Sequence, residues 1–353
     1  MKVNRLGLVE SLEKVWPAVG RNALVPKYQS FTFRGNHVQA TGGALWIDAP
    51  LPEGMNLTAC VEAEPFLKLV SGISHKEVDL EITDDKLVVK APKVNSEFTV
   101  LPPEPAQVPV VEGSVDLNNL EDLIRGLEFC RFGVSRDETM GALCGVYITG
   151  NILWACDRYR ILRWNLDAPV NLECSLPMKF LEQLVKMHTR IVAMEYKGDP
   201  VNGGSLNVQF EDGTAMWGVT LTGEYPNLEQ YFPDPNQAEV IQLDSTFPAV
   251  VDRHLAFLKD VPAIDKEVIF KVDSTSCTTY GHKVTIGKKI DRKLQEVTTL
   301  DPPRTDASPF EFRINPVLLK DIMGLCWEFK FFPGSTVVLF ETPKFQYLVQ
   351  TRS

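Results

Sequence analysis

Residues 316–323 read PVLLKDIM, and FKFFPGSTVVLFE follows at 329–341. In the first stretch the apolar residues recur at helical spacing, whereas in the second they alternate as they do in a strand. Two earlier segments show the same order, with PFLKLV (65–70) before VDLEITDDKLVVK (78–90), and PMKFLEQLVKM (177–187) before IVAMEYKGDP and SLNVQFEDGTA. The chain therefore contains three copies of a short helix followed by a β-hairpin.

The copies are separated by the length of a small domain. Leu67, Leu181 and Leu319 occupy matching positions in them, whereas the repeats of solenoid proteins are only about 20–50 residues long. The proline-rich segments LPPEPAQVP (101–109) and YPNLEQYFPDP (225–235) fall between the copies, and proline at such places ends a sheet or forms a linker. We predict three domains with the bounds 1–110, 111–235 and 236–353.

Each third also contains an earlier stretch with helical spacing. The first of these stretches places Leu6, Val9, Leu12, Val15 and Trp16 on its apolar face. Asp116 and Asp244 stand where N-caps of the other two would stand. The three predicted helices cover residues 5–16, 117–127 and 245–258. Because short helices with one apolar stripe need a sheet to cover them, we predict an α+β fold of three repeated domains, each with two helices on antiparallel sheet.

The composition is that of a globular protein. Of the 353 residues, 44% are hydrophobic and 23% are charged. No apolar run approaches the roughly 20 residues needed to cross a bilayer, and the first residues, MKVNRLGLVESLEKV, are amphipathic. We expect a soluble, cytoplasmic protein without a membrane partner. The formal net charge of −10 argues against nucleic-acid binding over the whole surface, although a local basic groove remains compatible with it.

The chain lacks the motifs of common active sites. Its seven cysteines form no CxxC pair, its five histidines have no metal-ligand spacing, and no GxSxG, P-loop or GxGxxG motif is present. Cys156 next to Asp157 is the strongest candidate nucleophile, but no histidine lies in the same motif. We predict no enzyme, no metal site and no cofactor. The rival hypothesis, a hydrolase or other enzyme on a repeated scaffold, requires histidine or cysteine beside a base in one pocket.

Duplication that only enlarges a scaffold is the simplest explanation of the repeats. A more specific hypothesis is that consecutive domains curve into an arc with helices inside and sheets outside. Two arcs joined head to tail would then close a ring without free sheet edges.

The middle third resembles bacterial DNA sliding clamps, the β subunit of DNA polymerase III. The family's S-x-D-E and L-x-G-V motifs match Ser135, Asp137, Glu138, Leu143, Gly145 and Val146. Its A-T-D-G-H-R-L motif corresponds to ACDRYRI (155–161), and its F-P-D-Y to YPNL (225–228). FRINPVLLKDIM in the last third resembles the start of a clamp helix. Arg158-Tyr159 replaces the family's Gly-His, and VQTR (349–352) replaces its M-P-M-R ending, which is typical of a divergent member such as a phage-encoded clamp.

This resemblance implies that the chain forms half of a ring. As a homodimer it would encircle duplex DNA without reading its sequence, and it would tether a polymerase and a clamp loader through short peptide motifs. Processivity would come from topological linkage, and ATP would be used by the separate loader. The location would be the nucleoid, or the host cytoplasm for a phage protein. The alternative is a clamp-fold adaptor or decoy that binds the same peptides without encircling DNA.

Cations on the predicted helices or directly after them are the candidates for facing DNA, because a sliding ring must hold phosphates without base contacts. They are Lys68, Arg125, Lys179, Lys186, Arg190, Arg253, Lys259 and Lys320. The alternative for these residues is an ordinary solvated helix face. Glu10 and Glu13 on the first helix would weaken a positive field.

Clamps receive partner peptides in a hydrophobic pocket between the middle and last domains. Transferred by motif, its residues here are Leu143, Cys156, Asp157, Arg158, Tyr159, Arg160, Ile161, Pro226, Tyr231, Asn315, Leu318, Leu348, Val349, Gln350 and Thr351. Apolar side chains of an extended peptide would anchor in such a groove. The alternative for ACDRYRILRW (155–164) is a plain strand with a local ion pair between Asp157 and Arg160.

The resemblance also implies a ring-closing interface between edge strands of the first and last domains. The strand of the first domain would lie around Phe98 and Val100, and that of the last domain around Val268 and Phe270. The alternative is that these four residues complete the core of their own domain.

Overall fold

The computed structural model describes residues 1–20, 23–102, 113–285, 290–300, 302–304, 308–326 and 328–352. The predicted domain boundary at 110 lies outside these residues. No helix in the described ranges is long and apolar enough to cross a membrane.

The α-helices are α1 (Arg5–Val15), α2 (Ala63–Gly72), α3 (Leu120–Cys130), α4 (Met178–Lys186), α5 (Phe247–Phe257) and α6 (Pro316–Lys320). Local capping explains several starts. The Asn4 side chain accepts a hydrogen bond from the Gly7 backbone N–H, and Asn315 accepts one from Val317 ahead of a proline-initiated α6. The Asp116 carboxylate instead closes a turn by accepting from the Asn118 N–H at 2.9 Å, so α3 begins at Leu120, later than predicted.

Antiparallel strands make up most of the rest. In chain order they are β1 (Lys2–Asn4), β2 (Ser30–Gly35), β3 (His37–Thr41), β4 (Leu45–Pro50), β5 (Leu57–Glu62), β6 (Glu77–Thr83), β7 (Lys86–Ala91), β8 (Val94–Thr99), β9 (Gly145–Thr149), β10 (Ile152–Cys156), β11 (Arg160–Asn165), β12 (Cys174–Pro177), β13 (Ile191–Asp199), β14 (Gly203–Phe210), β15 (Ala215–Val219), β16 (Glu239–Gln242), β17 (Val268–Val272), β18 (Ser276–Thr285), β19 (Ile290–Thr299), β20 (Phe310–Ile314), β21 (Glu328–Phe331), β22 (Val337–Glu341) and β23 (Phe345–Gln350).

The described chain divides into two compact units. The first comprises residues 1–124 and 170–224, and the second comprises 125–169 and 225–353. The first unit holds a four-stranded sheet in the order β1-β6-β7-β8 and a seven-stranded sheet in the order β13-β14-β15-β4-β3-β2-β5. Helices α1 and α2 contact each other in this unit, and α1 also packs on β3 and β4.

The second unit repeats this combination of paired helices and antiparallel sheet. Its strands run in the order β9-β10-β11-β23-β22-β21-β16 in one sheet and β19-β18-β17-β20 in the other. Helix α5 contacts α6, and Phe247 of α5 packs on Phe270 of β17 with ring centroids 5.9 Å apart. The Phe312 ring of β20 meets that of Phe329 of β21 at 5.7 Å, which joins the two sheets in one core. The predicted α+β class is confirmed, whereas the division into three consecutive domains stays a prediction.

The apolar face of α1 differs in part from the prediction. Leu12 and Val15 are fully buried, as predicted, but Leu8 is fully buried as well, whereas Leu6 is 55% exposed. Ser11 also lies on the buried face, where its hydroxyl donates to the Pro50 carbonyl at 2.7 Å. Ser11 interrupts the apolar pattern, so the spacing of apolar residues alone does not identify the buried face of α1. A polar residue is tolerated in the core here because its hydroxyl is hydrogen-bonded.

Candidate partner-binding cavity

A tight turn between β10 and β11 forms one wall of a cavity in the second unit. The two strands pair through Cys156 and Ile161, which leaves a short turn at residues 157–159. The Asp157 side chain accepts a hydrogen bond from the Tyr159 N–H at 3.2 Å, and Arg158 has a left-handed φ of 76°. Glycine or asparagine usually occupies such a position, because a Cβ is disfavoured there.

Arg160, the first residue of β11, is held from three sides. Its Nε lies 2.9 Å from Asp157 Oδ2, and its Nη1 lies 2.5 Å from Asp321 Oδ2 and 2.9 Å from the Tyr347 hydroxyl. The Tyr347 hydroxyl in turn donates to the Leu318 carbonyl at 2.5 Å. Burial raises the pKa of Asp157, and the charge of Arg160 opposes that shift only in part. The predicted ion pair of Asp157 and Arg160 is therefore present, as one part of a larger cluster.

The cavity beside this turn has a volume of about 500 Å³. Its floor includes Ile161, Leu228 and Leu348, which belong to a buried hydrophobic cluster that also contains Trp154 and Phe332. Two tyrosines stand at its rim, Tyr159 with 43% of its surface exposed and Tyr231 with 57%. The remaining lining residues are Leu143, Cys156, Arg158, Arg160, Pro226, Ser335, Thr336, Val337 and Gln350. An apolar floor with aromatic side chains at its rim is suited to anchor the side chains of a peptide.

A second cavity, of about 410 Å³, adjoins the first. Tyr159, Thr336 and Gln350 line both cavities and so form the wall between them. This wall is fixed by backbone hydrogen bonds, since the Gln350 N–H donates to the Tyr159 carbonyl at 2.8 Å and the Thr351 N–H to the Thr336 carbonyl at 2.8 Å. The other lining residues are Ile264, Glu267, Asn315, Leu318, Thr351 and Arg352.

The structure brings together all of the predicted peptide-contacting residues except Asp157 and Val349. Asp157 stands behind Arg160, and Val349 is fully buried on the face of β23 opposite to its cavity-lining neighbours Leu348 and Gln350. Sequence reasoning missed Leu228, although this residue lies in the same YPNLEQY segment as two predicted ones. It also missed Ser335, Thr336 and Val337, which follow the turn between β21 and β22.

Of the groups that the hydrolase hypothesis requires, Cys156 lines the first cavity. Among the residues that the structure describes, neither lining contains a histidine. Burial raises the pKa of the Cys156 thiol, which disfavours the thiolate form that a nucleophile needs. Among the described residues, no group of His, Cys, Asp and Glu side chains could hold a metal ion.

Two of the candidate DNA-facing cations lie in an open groove of the first unit. The groove, of about 1100 Å³, is lined by α1 and α4 and contains Lys179 and Lys186. Its other charged lining residues are Glu10, Glu13, Lys14 and Glu182. The groove thus mixes both signs of charge, as the acidic residues of the first predicted helix suggested.

The other candidate cations are exposed. Lys68 pairs with Glu64 at 2.5 Å, and Arg253 forms a bidentate pair with Glu296, whose carboxylate oxygens lie 2.8 Å from the arginine Nε. Arg125, Arg190, Lys259 and Lys320 are exposed as well. Exposure is compatible with both a DNA-facing role and a solvated helix face, so the assignment stays a prediction.

The structure contradicts the ring-closing role of β17. This strand pairs with β18 on one side and with β20 on the other, so it has no free edge. Val268 and Phe270 are buried in the core of their own sheet, as the alternative required. In the first unit, β8 does lie at the end of its sheet, while Phe98 turns inward to pack on Phe66 with centroids 5.3 Å apart. Val100 follows β8 and donates its N–H to the Asp85 carbonyl at 2.6 Å.

Comparison with solved structures gives full-length matches. The chain is similar to the Caulobacter crescentus β sliding clamp, with a TM-score of 0.83 and 20% identity, covering 100% of this chain and 98% of that one. The Bacillus subtilis DNA polymerase sliding clamp gives 0.80 and 17%, with 100% and 98% coverage. The Helicobacter pylori β clamp bound to a DNA ligase peptide gives 0.77 and 12%, with 100% of both chains covered.

The similarity is one of structure. No protein-family model matches the chain, and a search of curated proteins finds no significant match. The fold extends over the whole of each compared chain at low sequence identity. The chain has the fold of the bacterial β sliding clamps, as the motifs of its middle third predicted.

Proposed function

We propose that this protein is a DNA sliding clamp, a processivity factor that encircles duplex DNA as a homodimer and tethers a polymerase and other partners. The cavity beside Tyr159 is the observation that carries the proposal. It collects side chains from distant parts of the sequence, including Leu143, Pro226 and Leu348, around one apolar floor. A compared clamp of the same fold holds a DNA ligase peptide.

The cavity would receive a short linear segment of each partner. Large apolar side chains of the segment would displace water from the floor at Ile161 and Leu348, which provides the affinity. Aromatic rims at Tyr159 and Tyr231 add contact area at low cost in conformational entropy. Since every partner carries its own segment, the same cavity would serve polymerase and clamp loader in turn.

The mechanism would be topological rather than catalytic. A closed ring remains on DNA by linkage, so its inner surface needs only weak, water-mediated contacts with phosphates. Lys179 and Lys186 would supply such contacts on one helix of the lining, with Lys68, Arg253 and Lys320 on others. No cofactor takes part, and ATP would be used by the loader that opens the ring.

Ring closure would use the free edges of two sheets. Strand β8 is an end strand of the four-stranded sheet in the first unit, and β19 is an end strand of the sheet that contains β17. At the opposite end of the latter sheet, β20 already makes a bridge between Arg313 and Arg352. We therefore place β8 of one copy beside β19 of a second copy, in a heterologous contact that closes when it occurs twice.

Retention on DNA tests the proposal. The purified protein is loaded with a clamp loader onto nicked circular DNA, and the retained protein is measured before and after the circle is linearised. We expect retention on the circle and loss from the linear molecule, because a ring slides off a free end. Equal retention on both forms would overturn the encircling function.

The second candidate function is an adaptor that binds the same peptides without encircling DNA. The mixed charge of the α1–α4 groove favours it, because Glu10, Glu13 and Glu182 stand beside the lysines that would face phosphates. Light scattering after size exclusion at micromolar concentration separates the two functions. A strict monomer would support the adaptor, and a dimer would support the clamp.

A further inference from the structure

Arg158 is an unusual residue for its position in the peptide cavity. It occupies the middle of the turn between β10 and β11 with φ at 76°, a conformation that side chains with a Cβ rarely adopt. Strained residues of this kind persist where the surrounding structure holds them, and they occur often at binding sites. The backbone conformation therefore does not explain why this residue is an arginine, because glycine would adopt the same conformation with less strain.

The contacts of the guanidinium are weak for its donor capacity. Its Nη2 lies 3.2 Å from Asp137 Oδ2, and its Nε and Nη2 lie 3.3 and 3.0 Å from the Met140 Sδ. A thioether is a weak hydrogen-bond acceptor, so the guanidinium N–H groups that point at Met140 make only weak hydrogen bonds. Nothing in the described ranges accepts a hydrogen bond from Nη1, and the Arg158 side chain is 60% exposed.

Asp137 does not depend on this arginine. Its Oδ1 accepts hydrogen bonds from the Thr139 N–H at 3.1 Å and from the Thr139 hydroxyl at 2.6 Å. These bonds, with a smaller contribution from Arg158, hold the pKa of Asp137 below its usual value. The guanidinium can thus turn toward a ligand without leaving a bare carboxylate behind.

The other cation of the first cavity is already neutralised. Arg160 is enclosed by Asp157 and Asp321, at 2.9 and 2.5 Å, and is only 12% exposed. In the part of the chain that the structure describes, no acidic side chain lines this cavity, and Arg158 and Arg160 are its charged lining residues. Arg158 therefore gives the apolar cavity a positive rim on one side.

Resting on the proposed function, we propose that Arg158 determines specificity by selecting partner peptides that carry a carboxylate beside their apolar anchor. The anchor side chain would fill the floor at Leu228 and Leu348, and the carboxylate would take the place of the Met140 thioether on the guanidinium. Such a pair forms charge-assisted, often bidentate hydrogen bonds, which lysine does not reproduce. The favoured partner is an acidic, apolar linear segment.

The test begins with short random peptides displayed on phage and selected on the wild-type protein. Peptides that bind in the cavity are identified by loss of binding to Tyr159→Ala, a change at an exposed rim residue. We expect these peptides to be enriched in Asp and Glu next to large apolar residues. If no selected peptide depends on Tyr159, the proposed peptide site fails, and this inference fails with it.

The decisive step is a double-mutant cycle on one cavity-dependent synthetic peptide. Its acidic residue is changed to the amide, and the affinity of both peptides is measured for the wild type and for Arg158→Gly. We expect the wild type to prefer the acid about fivefold, with the preference lost in Arg158→Gly and reduced in Arg158→Lys. The preference should also fall as salt rises.

Controls separate this effect from general electrostatics and from unfolding. Lys271→Gln breaks an exposed ion pair of similar kind, with Glu311 at 2.9 Å in the same unit, and should leave the acid preference unchanged. Arg158→Gly should melt close to the wild type, because relief of the left-handed strain offsets the added freedom of the unfolded chain. Cavity-dependent peptides that prefer acid equally in Arg158→Gly would overturn the selectivity while leaving the peptide site intact.

Discussion

At the scale of single residues, the candidate site depends on one arginine between two carboxylates. Arg160 joins the turn at Asp157 to Asp321, which directly follows α6. It also meets the hydroxyl of Tyr347 on β23. All of these side chains are largely withdrawn from water, so the cluster holds three separate segments in fixed positions around the cavity. A partly buried charge that loses its partner is costly, because desolvation is no longer compensated.

We predict that Arg160→Met destabilises the protein by about 3 kcal/mol near neutral pH, because Asp157 and Asp321 lose their shared cation. Burial already raises the pKa of Asp157, and the loss of Arg160 would raise it further. The folded variant then binds a proton more readily than the unfolded chain, so its stability rises as pH falls toward that pKa. Urea unfolding should show a smaller difference from the wild type at about pH 5 than at about pH 8.

The matched control is Lys271→Met, which removes an exposed ion pair and should have little effect at either pH. An Arg160→Met variant as stable as the wild type would contradict the account of the cluster. A cost that grows on acidification would contradict the pKa argument.

At the scale of elements, local sequence patterns predicted local secondary structure but not the order of strands in a sheet. The hairpins and the turns with Asp84 and Gly334 at positive φ follow from spacing and turn chemistry, whereas α3 and α5 begin later than predicted. Strand order is not local. The alternation of Val268 and Phe270 identifies a buried face but not the neighbouring strands, and the edge position that the resemblance implies for β17 is wrong because this strand pairs on both sides. The motif transfer likewise includes Val349 with Leu348 and Gln350, although neighbours on a strand face opposite sides.

The site was predictable only through motifs, because its residues come from segments far apart in the sequence. The turn at 157–159 could be placed beside a cavity by resemblance to clamps. Leu228 lies in the YPNL motif (225–228) and Val337 in no motif, but the apolar side chains of both look like those of any core residue. Their role depends on the packing that leaves a cavity above them.

Helix α5 packs closely on β18 at Gly281. We predict that Gly281→Ala destabilises the protein by about 1–3 kcal/mol. An added Cβ would lie 2.7 Å from the His254 Nδ1 and 3.3 Å from the Phe257 Cδ1. His254 is 1% exposed and its Nε2 lies 2.8 Å from the Thr279 hydroxyl, so the ring has little room to withdraw. Thermal unfolding measures the effect.

Gly72→Ala provides the control for Gly281→Ala. Gly72 ends α2, an added Cβ there meets no atom within 4 Å, and alanine favours helix. This variant should be as stable as the wild type or slightly more so. Equal stability of the Gly281→Ala variant would show that α5 is free to shift from β18.

At the scale of the whole molecule, the negative net charge must be reconciled with binding to the negatively charged DNA. The net charge is −10, and the α1–α4 groove holds Lys14, Lys179 and Lys186 beside three glutamates. Lys14 is further engaged by Asp212 at 2.6 Å. Such a surface would hold phosphates weakly and with a shallow dependence on salt. Weak holding suits a ring that is retained by linkage, but it gives a monomer no means of staying on DNA. The proposed clamp function therefore depends on ring closure.

Val297 tests that closure, because it is an apolar residue of the free edge strand β19 and is 61% exposed. We predict that Val297→Lys weakens dimerisation at least about tenfold, since lysine on an edge strand opposes strand pairing between copies. Light scattering should show monomers at concentrations where the wild type is dimeric, and retention on nicked circular DNA should fall in parallel. Val192→Lys changes a residue that is 49% exposed on β13, the end strand of another sheet, and should leave the dimer intact. Peptide binding should be unchanged in both variants. A Val297→Lys protein that remains dimeric would remove β19 from the interface, and one that is monomeric yet retained on circles would exclude topological linkage.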